Sequence, residues 1–451
     1  MTACGSSRAG ISVEPLESLL DQRLDIRLSG FGPGTRVTVR AEMPDETGQT
    51  WQSQATYLVD GSGGVDLARQ APVSGSFDVA DPMGLIWSMT PGGQDIHTIS
   101  FIKNRLDPLT VAFTAETGGQ PVARAQAVRL FVAPGVVRTP VRDEGLVGTY
   151  FHPGAAGKYP CVVVVGGSGG GLQERGAALL ASHGFAALAL AYFRAEHLPR
   201  ELYEIPLEYF EKAIAWVRAQ PAVTSEKLAF MGTSRGGELA LLLGSTFPEV
   251  RAVVAYVPSA FVHAGIGEGQ PDVRGFRASW TYRGEPLFYV TRQTPARRAQ
   301  AAGQPVVRQG QGAGQASGPA EPIPLTPLFL ADLEDRDPEE IERATIKVER
   351  IGGPVLLISG RDDQMWPSWL FGGRLFHRLT DKRHPYPFKH LSYAGAGHTI
   401  GQPYMPATVA ASRHPVRGSV FAYGGNARDN ATASHDSWSQ VLAFLGQSLK
   451  A

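Results

Sequence analysis

The sequence predicts two folded units of different class, a β-sandwich followed by a doubly wound α/β domain. Three observations predict it. Short apolar runs that alternate with period two, separated by Gly/Pro turns, fill residues 13–132. From residue 136 onward, fully apolar runs alternate with stretches of helical periodicity. One of those apolar runs leads into a Gly-x-Ser-x-Gly turn that opens a helix. With 451 residues the chain has room for two or three domains at ~150 residues each.

Composition narrows the function classes. Lys plus Arg is 42 and Asp plus Glu is 42, a balance that speaks against a nucleic-acid partner held by a basic surface. No apolar stretch reaches the ~18 residues of a transmembrane segment. The cysteines are Cys4 and Cys161; the second lies inside Cys161-Val-Val-Val-Val165 and reads as a buried small side chain, not half of a disulfide. Residues 1–12 read as a flexible tail with neither a basic nor an apolar signal region, and the expected location is cytoplasmic. Thr2-Ala-Cys-Gly-Ser-Ser7 resembles the end of a bacterial lipoprotein signal, so a lipid anchor on Cys4 is the alternative if the true start lies upstream. The sequence leaves the oligomeric state open.

The first unit, residues 13–135, is read from Leu24-Asp-Ile-Arg-Leu28, Val37-Thr-Val-Arg-Ala41, Ala55-Thr-Tyr-Leu-Val59, Thr98-Ile-Ser-Phe-Ile102, Thr110-Val-Ala-Phe-Thr114 and Ala127-Val-Arg-Leu-Phe-Val132. Six short strands with turn chemistry between them describe an immunoglobulin-like β-sandwich. Asp81-Pro-Met-Gly-Leu-Ile-Trp-Ser-Met89 reads as a packed aromatic turn. The second unit, residues 136–451, opens with a hairpin. Buried strands follow at 161–165, 186–191, 228–231, 253–257 and 355–359, with helices at 170–183, 207–220, 238–247 and 438–449. Residues 292–320 break the pattern: they are rich in Gln, Gly and Ala, carry Arg292, Arg297, Arg298 and Arg308, and include no acid. Such a stretch cannot form a packed core and reads as a mobile insertion.

Chemistry concentrates at Gly232-Thr-Ser-Arg-Gly236. After a strand and before a helix this pentapeptide is a nucleophile elbow: the glycines let backbone pass close on both sides of a strained turn, and Ser234 is left exposed. These features make the second unit an α/β-hydrolase domain. A serine nucleophile needs a base, and the base needs an orienting acid, arriving in the order Ser, acid, His at loops after strands. The strand at 355–359 leads to Gly360-Arg-Asp-Asp363, and the strand at 389–393 leads to Ala394-Gly-Ala-Gly-His398. Asp363 is the favoured acid, with Asp362 the alternative, and His398 is the base; the other histidines read as solvated or structural. Two backbone amides should hold the oxyanion: Arg235, and Gly167 or Ser168 in the loop Gly166-Gly-Ser-Gly-Gly-Gly171. A dinucleotide site is excluded because Tyr192-Phe-Arg194 stands where an acid should follow the next strand. No Walker loop or zinc spacing occurs, so neither cofactor nor metal is expected.

Gly-Gly-Ser-Gly-Gly-Gly-Leu172, Ala-Leu-Ala-Tyr-Phe193, Leu-Glu-Tyr-Phe-Glu211, Gly-Thr-Ser-Arg-Gly-Gly-Glu238 and Asp-Asp-Gln-Met-Trp-Pro-Ser368, after a sandwich carrying Gly75-Ser-Phe77, resemble the acyl-CoA thioesterase and bile acid-CoA:amino acid N-acyltransferase family. The resemblance implies an acyl-enzyme mechanism on acyl-CoA as the small-molecule partner, with Ser234, Asp363 and His398 as the triad. The conjugating branch of that family resembles a Cys-nucleophile enzyme, so Ser234 implies hydrolysis to fatty acid and CoA. An amino acid N-acyltransferase, or a carboxylesterase or dienelactone-hydrolase-like enzyme acting on oxygen esters, are the alternatives. A non-catalytic binding module is set aside because the three residues are all present.

Overall fold

The computed structural model describes residues 8–92, 99–268, 277–290, 321–334 and 336–450. In the N-terminal part, two sheets enclose a core. One sheet joins Gly10–Glu14, Asp25–Ser29 and Val65–Asp66. The other runs Glu17–Leu19, Gln120–Leu130, Leu109–Thr117, Arg36–Pro44, Thr50–Leu58 and Ser74–Gly75. Period-two alternation turns Val37, Val39, Ala41 and Met43 inward, against Ile26 and Leu28 from the facing sheet.

The C-terminal part is built on an eight-stranded sheet. Its strands are β1 (Val136–Val141), β2 (Val147–Pro153), β3 (Tyr159–Val165), β4 (Ala186–Ala191), β5 (Val223–Thr233), β6 (Val250–Tyr256), β7 (Val355–Gly360) and β8 (Phe388–Tyr393). Their order in space is β1-β2-β4-β3-β5-β6-β7-β8. The first two are antiparallel to their neighbours, and the rest run parallel. Strand β4 is buried at every residue, because helices cover both faces of a parallel sheet. The helices that matter below are α1 (Glu174–Ser182), α2 (Leu207–Arg218), α3 (Arg235–Thr246), α4 (Ser368–Asp381) and α5 (Ala427–Leu445). An α/β-hydrolase domain thus follows an immunoglobulin-like β-sandwich. No helix among the described residues is long and apolar enough to cross a membrane.

The two parts touch through specific polar contacts. Asp21 Oδ2 accepts from Trp438 Nε1 at 2.8 Å and from His183 Nε2 at 2.5 Å. The segment around Trp87 folds as a one-turn helix, Gly84–Trp87, whose indole N–H donates to Asp81. Its backbone oxygens then receive the Ala407 amide at 2.9 Å and, from Met89, the Thr408 hydroxyl at 2.6 Å. The aromatic turn therefore forms part of the contact between the domains.

Three expectations need correction. Of the expected strand 98–102, Thr98 lies outside the described residues and 99–102 form no strand: the Ile102 amide donates to the Asp45 carboxylate and its carbonyl accepts from the Glu46 amide, isolated bonds in place of a ladder. Helix α1 begins at Glu174, not 170, because Gly170 and Gly171 adopt positive φ. Helix α5 begins at Ala427, eleven residues before the apolar stretch that announced it. Its first turns bury Asn430, Ala433, Ser434 and Ser437, small residues without a hydrophobic stripe, and the Asn426 side chain caps them by accepting from the Asp429 amide. Cys161 is buried, and burial pushes its thiol well up from the ordinary range. Cys4 and the stretch 292–320 lie outside the described residues.

Candidate active site

Strand β5 delivers Ser234 at the carboxyl edge of the sheet, where α3 begins with the next residue. Ser234 has φ 59° and ψ −120°, a conformation that only surrounding constraint holds for a non-glycine residue. The constraint is crowding. A Cβ on Gly232 would lie 2.0 Å from the Gly236 carbonyl oxygen, and one on Gly236 would lie 2.4 Å from that of Gly166. Both positions must be glycine for the turn to close. The Ser234 amide then donates to the Tyr256 carbonyl at 2.9 Å, tying the turn to β6.

The loops after β7 and β8 bring the two other candidates to the same edge. His398 Nε2 is 2.9 Å from Ser234 Oγ, and His398 Nδ1 is 2.8 Å from Asp363 Oδ2. The second carboxylate oxygen, Oδ1, accepts from the amides of Met365 and Trp366 at 3.0 and 3.3 Å. Asp363 is buried, so Oδ2 is left to the imidazole. With Nδ1–H donated to the carboxylate, Nε2 presents its lone pair to the Ser234 hydroxyl. The indole of Trp366 stands edge-on to His398, with ring centroids 5.9 Å apart, and the His398 amide donates to the Tyr423 carbonyl. Asp362 points elsewhere: its Oδ2 accepts from the Gly425 amide at 2.9 Å.

The oxyanion candidates also meet here. Strand register pairs Val165 with Gly232, which sets the loop after β3 beside the elbow. A Cβ on Gly167 would lie 3.3 Å from Ser234 Cβ and 3.9 Å from the Arg235 amide nitrogen. Tyr192 steadies the loop by donating to the Gly166 carbonyl at 2.7 Å. The Arg235 side chain turns inward: it bonds Glu238 at 2.7 Å, the His263 carbonyl and Ser279. Burial pushes the Glu238 carboxyl up, and Arg235 opposes the shift.

Ser234, Arg235 and Ser168 line one cavity, open at its mouth. Its walls include Ile266, Val290, Leu325, Phe329, Trp366 and Phe421. Two further residues reach it from the segment before α5, His414 and Arg417. Neither was singled out from the sequence, because Arg413-His-Pro-Val-Arg417 matches no motif and follows no strand of the central sheet. His414 Nε2 is 2.9 Å from Ser168 Oγ, which ties this segment to the glycine-rich loop. Thr326 also escaped notice; its hydroxyl donates to the Asp363 carbonyl at 2.7 Å.

Strand order, the strained serine on its turn and the His–Asp pair from later loops define an α/β-hydrolase. Comparison with known proteins narrows this. Residues 21–143 match the model of the acyl-CoA thioester hydrolase/BAAT N-terminal region, and residues 205–269 and 329–451 match that of the BAAT/acyl-CoA thioester hydrolase C terminus. The chain is 32% identical to the mouse peroxisomal succinyl-coenzyme A thioesterase, over 98% of this chain and 97% of that one. It is 32% identical to human acyl-coenzyme A thioesterase 1, over 95% and 94% respectively. Among solved structures, a dienelactone hydrolase-like promiscuous phosphotriesterase from metagenomic libraries aligns with TM-score 0.39 at 16% identity, covering 69% of this chain and 98% of that one. The chain belongs to the acyl-CoA thioester hydrolase/BAAT family, and as a member of it is an enzyme of the thioester-hydrolase class.

Proposed function

We propose that this enzyme hydrolyses fatty acyl-CoA to the free acid and CoA through an acyl-Ser234 intermediate. The observation that carries the reading is the unbroken hydrogen-bond chain from Ser234 through His398 to Asp363. His398 Nε2 takes the Ser234 proton as Oγ attacks the thioester carbonyl carbon. The imidazolium that forms is stabilised by Asp363, which keeps its negative charge. The carbonyl oxygen becomes the oxyanion and is held by the Arg235 amide and a second amide at Gly167 or Ser168. The carbon–sulfur bond then breaks, and the CoA sulfur leaves with the proton from His398. Water gives a proton to the freed Nε2, attacks the acyl ester, and Ser234 recovers its proton as the acid departs. The apolar walls of the cavity suit an acyl chain, and the relatives named as acyl-coenzyme A thioesterases support the choice of a CoA thioester.

The test is release of free thiol across a series of acyl-CoA chain lengths, run beside p-nitrophenyl esters. CoA release that rises to an optimum chain length is the expected result. Ester turnover with no CoA released at any length would replace this reading with an oxygen-ester hydrolase.

A further inference from the structure

His414 is a buried imidazole whose two nitrogens face opposite kinds of partner. Nδ1 accepts the backbone N–H groups of Val416 and Arg417, both at 3.2 Å. A nitrogen that accepts from amides carries no hydrogen, so the proton of the neutral ring is on Nε2. Nε2 therefore donates to Ser168 Oγ at 2.9 Å, and Ser168 is the acceptor in that bond. A hydroxyl that accepts still has its own proton to give. No acceptor among the described residues takes it, and Ser168 lines the cavity together with Ser234. The field around the ring reinforces the neutral form: burial pushes His414 down to about 4, with Arg417 and Arg194 acting in the same direction.

We propose that the side-chain hydroxyl of Ser168 donates a hydrogen bond to the substrate carbonyl oxygen as it becomes the oxyanion, and that His414 is the positioning residue that aims it. Ser168 then contributes through its side chain beside the backbone amides of the oxyanion site. The glycine-rich loop puts the hydroxyl within the cavity; the His414 N–H occupies one lone pair of Oγ and so restricts where the O–H can point. No proton is transferred by this pair. The bond strengthens as negative charge develops on the carbonyl oxygen and weakens when the carbonyl re-forms, which is the behaviour that lowers a barrier without tightening ground-state binding.

The inference rests on the hydrolase reading but not on the identity of the leaving group, because an oxygen ester passes through the same oxyanion. Four variants are compared with wild type on both a CoA thioester and a p-nitrophenyl ester: Ser168→Ala, Ser168→Thr, His414→Phe and the Ser168→Ala/His414→Phe double variant. Ser168→Ala is expected to lower kcat about tenfold to a hundredfold with KM within twofold. Ser168→Thr, which keeps the hydroxyl, is expected to recover most of it. His414→Phe keeps a ring but loses the donor; it should lower kcat in the wild-type background and add nothing in the Ser168→Ala background. A Ser168→Ala enzyme with kcat within twofold of wild type would overturn the proposal, as would a His414→Phe penalty of equal size with and without Ser168. Should His414→Phe not fold, the Ala/Thr pair at 168 decides the role of the hydroxyl alone. Ester turnover without CoA release would sink the thioesterase reading while the ester kinetics still decide this one.

Discussion

Among the described residues four serine hydroxyls meet a histidine ring, and three of these pairs, Ser234–His398, Ser168–His414 and Ser359–His390, compare directly by what surrounds the ring. In Ser234–His398 the far nitrogen meets a carboxylate, so the near one is a base that faces the hydroxyl. For Ser168–His414, backbone amides occupy it, so the near nitrogen is a donor and the polarity of the pair is reversed. Ser359–His390 has a short 2.7 Å bond and lies outside the cavity that holds Ser234 and Ser168; the ring packs on Gly372, and burial with Arg361 nearby pushes it down to about 4. Residue type and distance are nearly the same in all three. The third partner sets which atom carries the proton, and with it what the pair can do.

The sharpest way to break the comparison is at the first pair. Ser234→Ala should lower kcat by about 10⁵–10⁶ while the melting temperature stays near that of wild type, since a smaller side chain fits the turn. An equal loss from Ser359→Ala, measured by the same thiol-release assay, would mean the pairs are not distinguished as argued. Next in size is the partner itself. Asp363→Asn offers an amide where the His398 N–H needs an acceptor, favours the wrong tautomer, and should cost about 10⁴ in kcat. Asp362→Asn should be mild, because its carboxylate serves the Gly425 amide and not the imidazole. The reverse ranking of the two would reassign the acid.

A smaller effect is expected from the turn that supports the serine. Gly236→Ala would drive a methyl into the Gly166 carbonyl and displace the oxyanion loop as well as the serine. A shift near 1 Å at reacting groups costs on the order of 100-fold, so kcat should fall at least that far. A Gly236→Ala enzyme with wild-type kcat would show that the crowding is relieved by movement elsewhere.

These sites were not equally legible in the sequence. Ser234 and Asp363 each follow a run apolar enough to read as a buried strand, His398 follows a mixed run that forms the half-buried edge strand β8, and glycines flank the serine and precede the histidine, so position in the fold could be inferred from local pattern. His414 and Arg417 come from a segment whose place depends on where the chain returns after β8, and no local periodicity encodes that. The same limit explains α5. Its first eleven residues pack small polar side chains against the loop carrying His398, as when Asn430 Oδ1 accepts from the Gly397 amide at 2.8 Å, and a hydrophobic stripe is not needed for such contacts. Buried strands were readable because burial on both faces demands apolar residues at every position; contacts made through backbone and small side chains leave no such trace.

The mildest prediction takes a His–carboxylate pair that lacks a serine. Asp21 and His183 are 2.5 Å apart, much as Asp363 and His398 are 2.8 Å apart, but they join the sandwich to the end of α1, and Trp438 Nε1 is the third member. Burial alone would raise the Asp21 carboxyl, and the bonds from His183 and Trp438 outweigh it, leaving Asp21 below its ordinary value. A carboxylate lowered in the folded state stabilises it above the ordinary carboxylate range and loses that contribution as pH falls through the lowered value. Its Oδ1 is buried with no partner among the described residues, which limits the gain. Asp21→Asn should therefore cost about 1–3 kcal/mol of stability at pH 7, with kcat on any substrate within twofold of wild type. The stability gap between the two proteins should narrow as denaturation is repeated from pH 7 down to pH 3. A gap that persists at pH 3 would show that Asp21 acts by shape and not by charge; a large fall in kcat would show that the domain contact, like the third partner of His398, reaches the reacting serine.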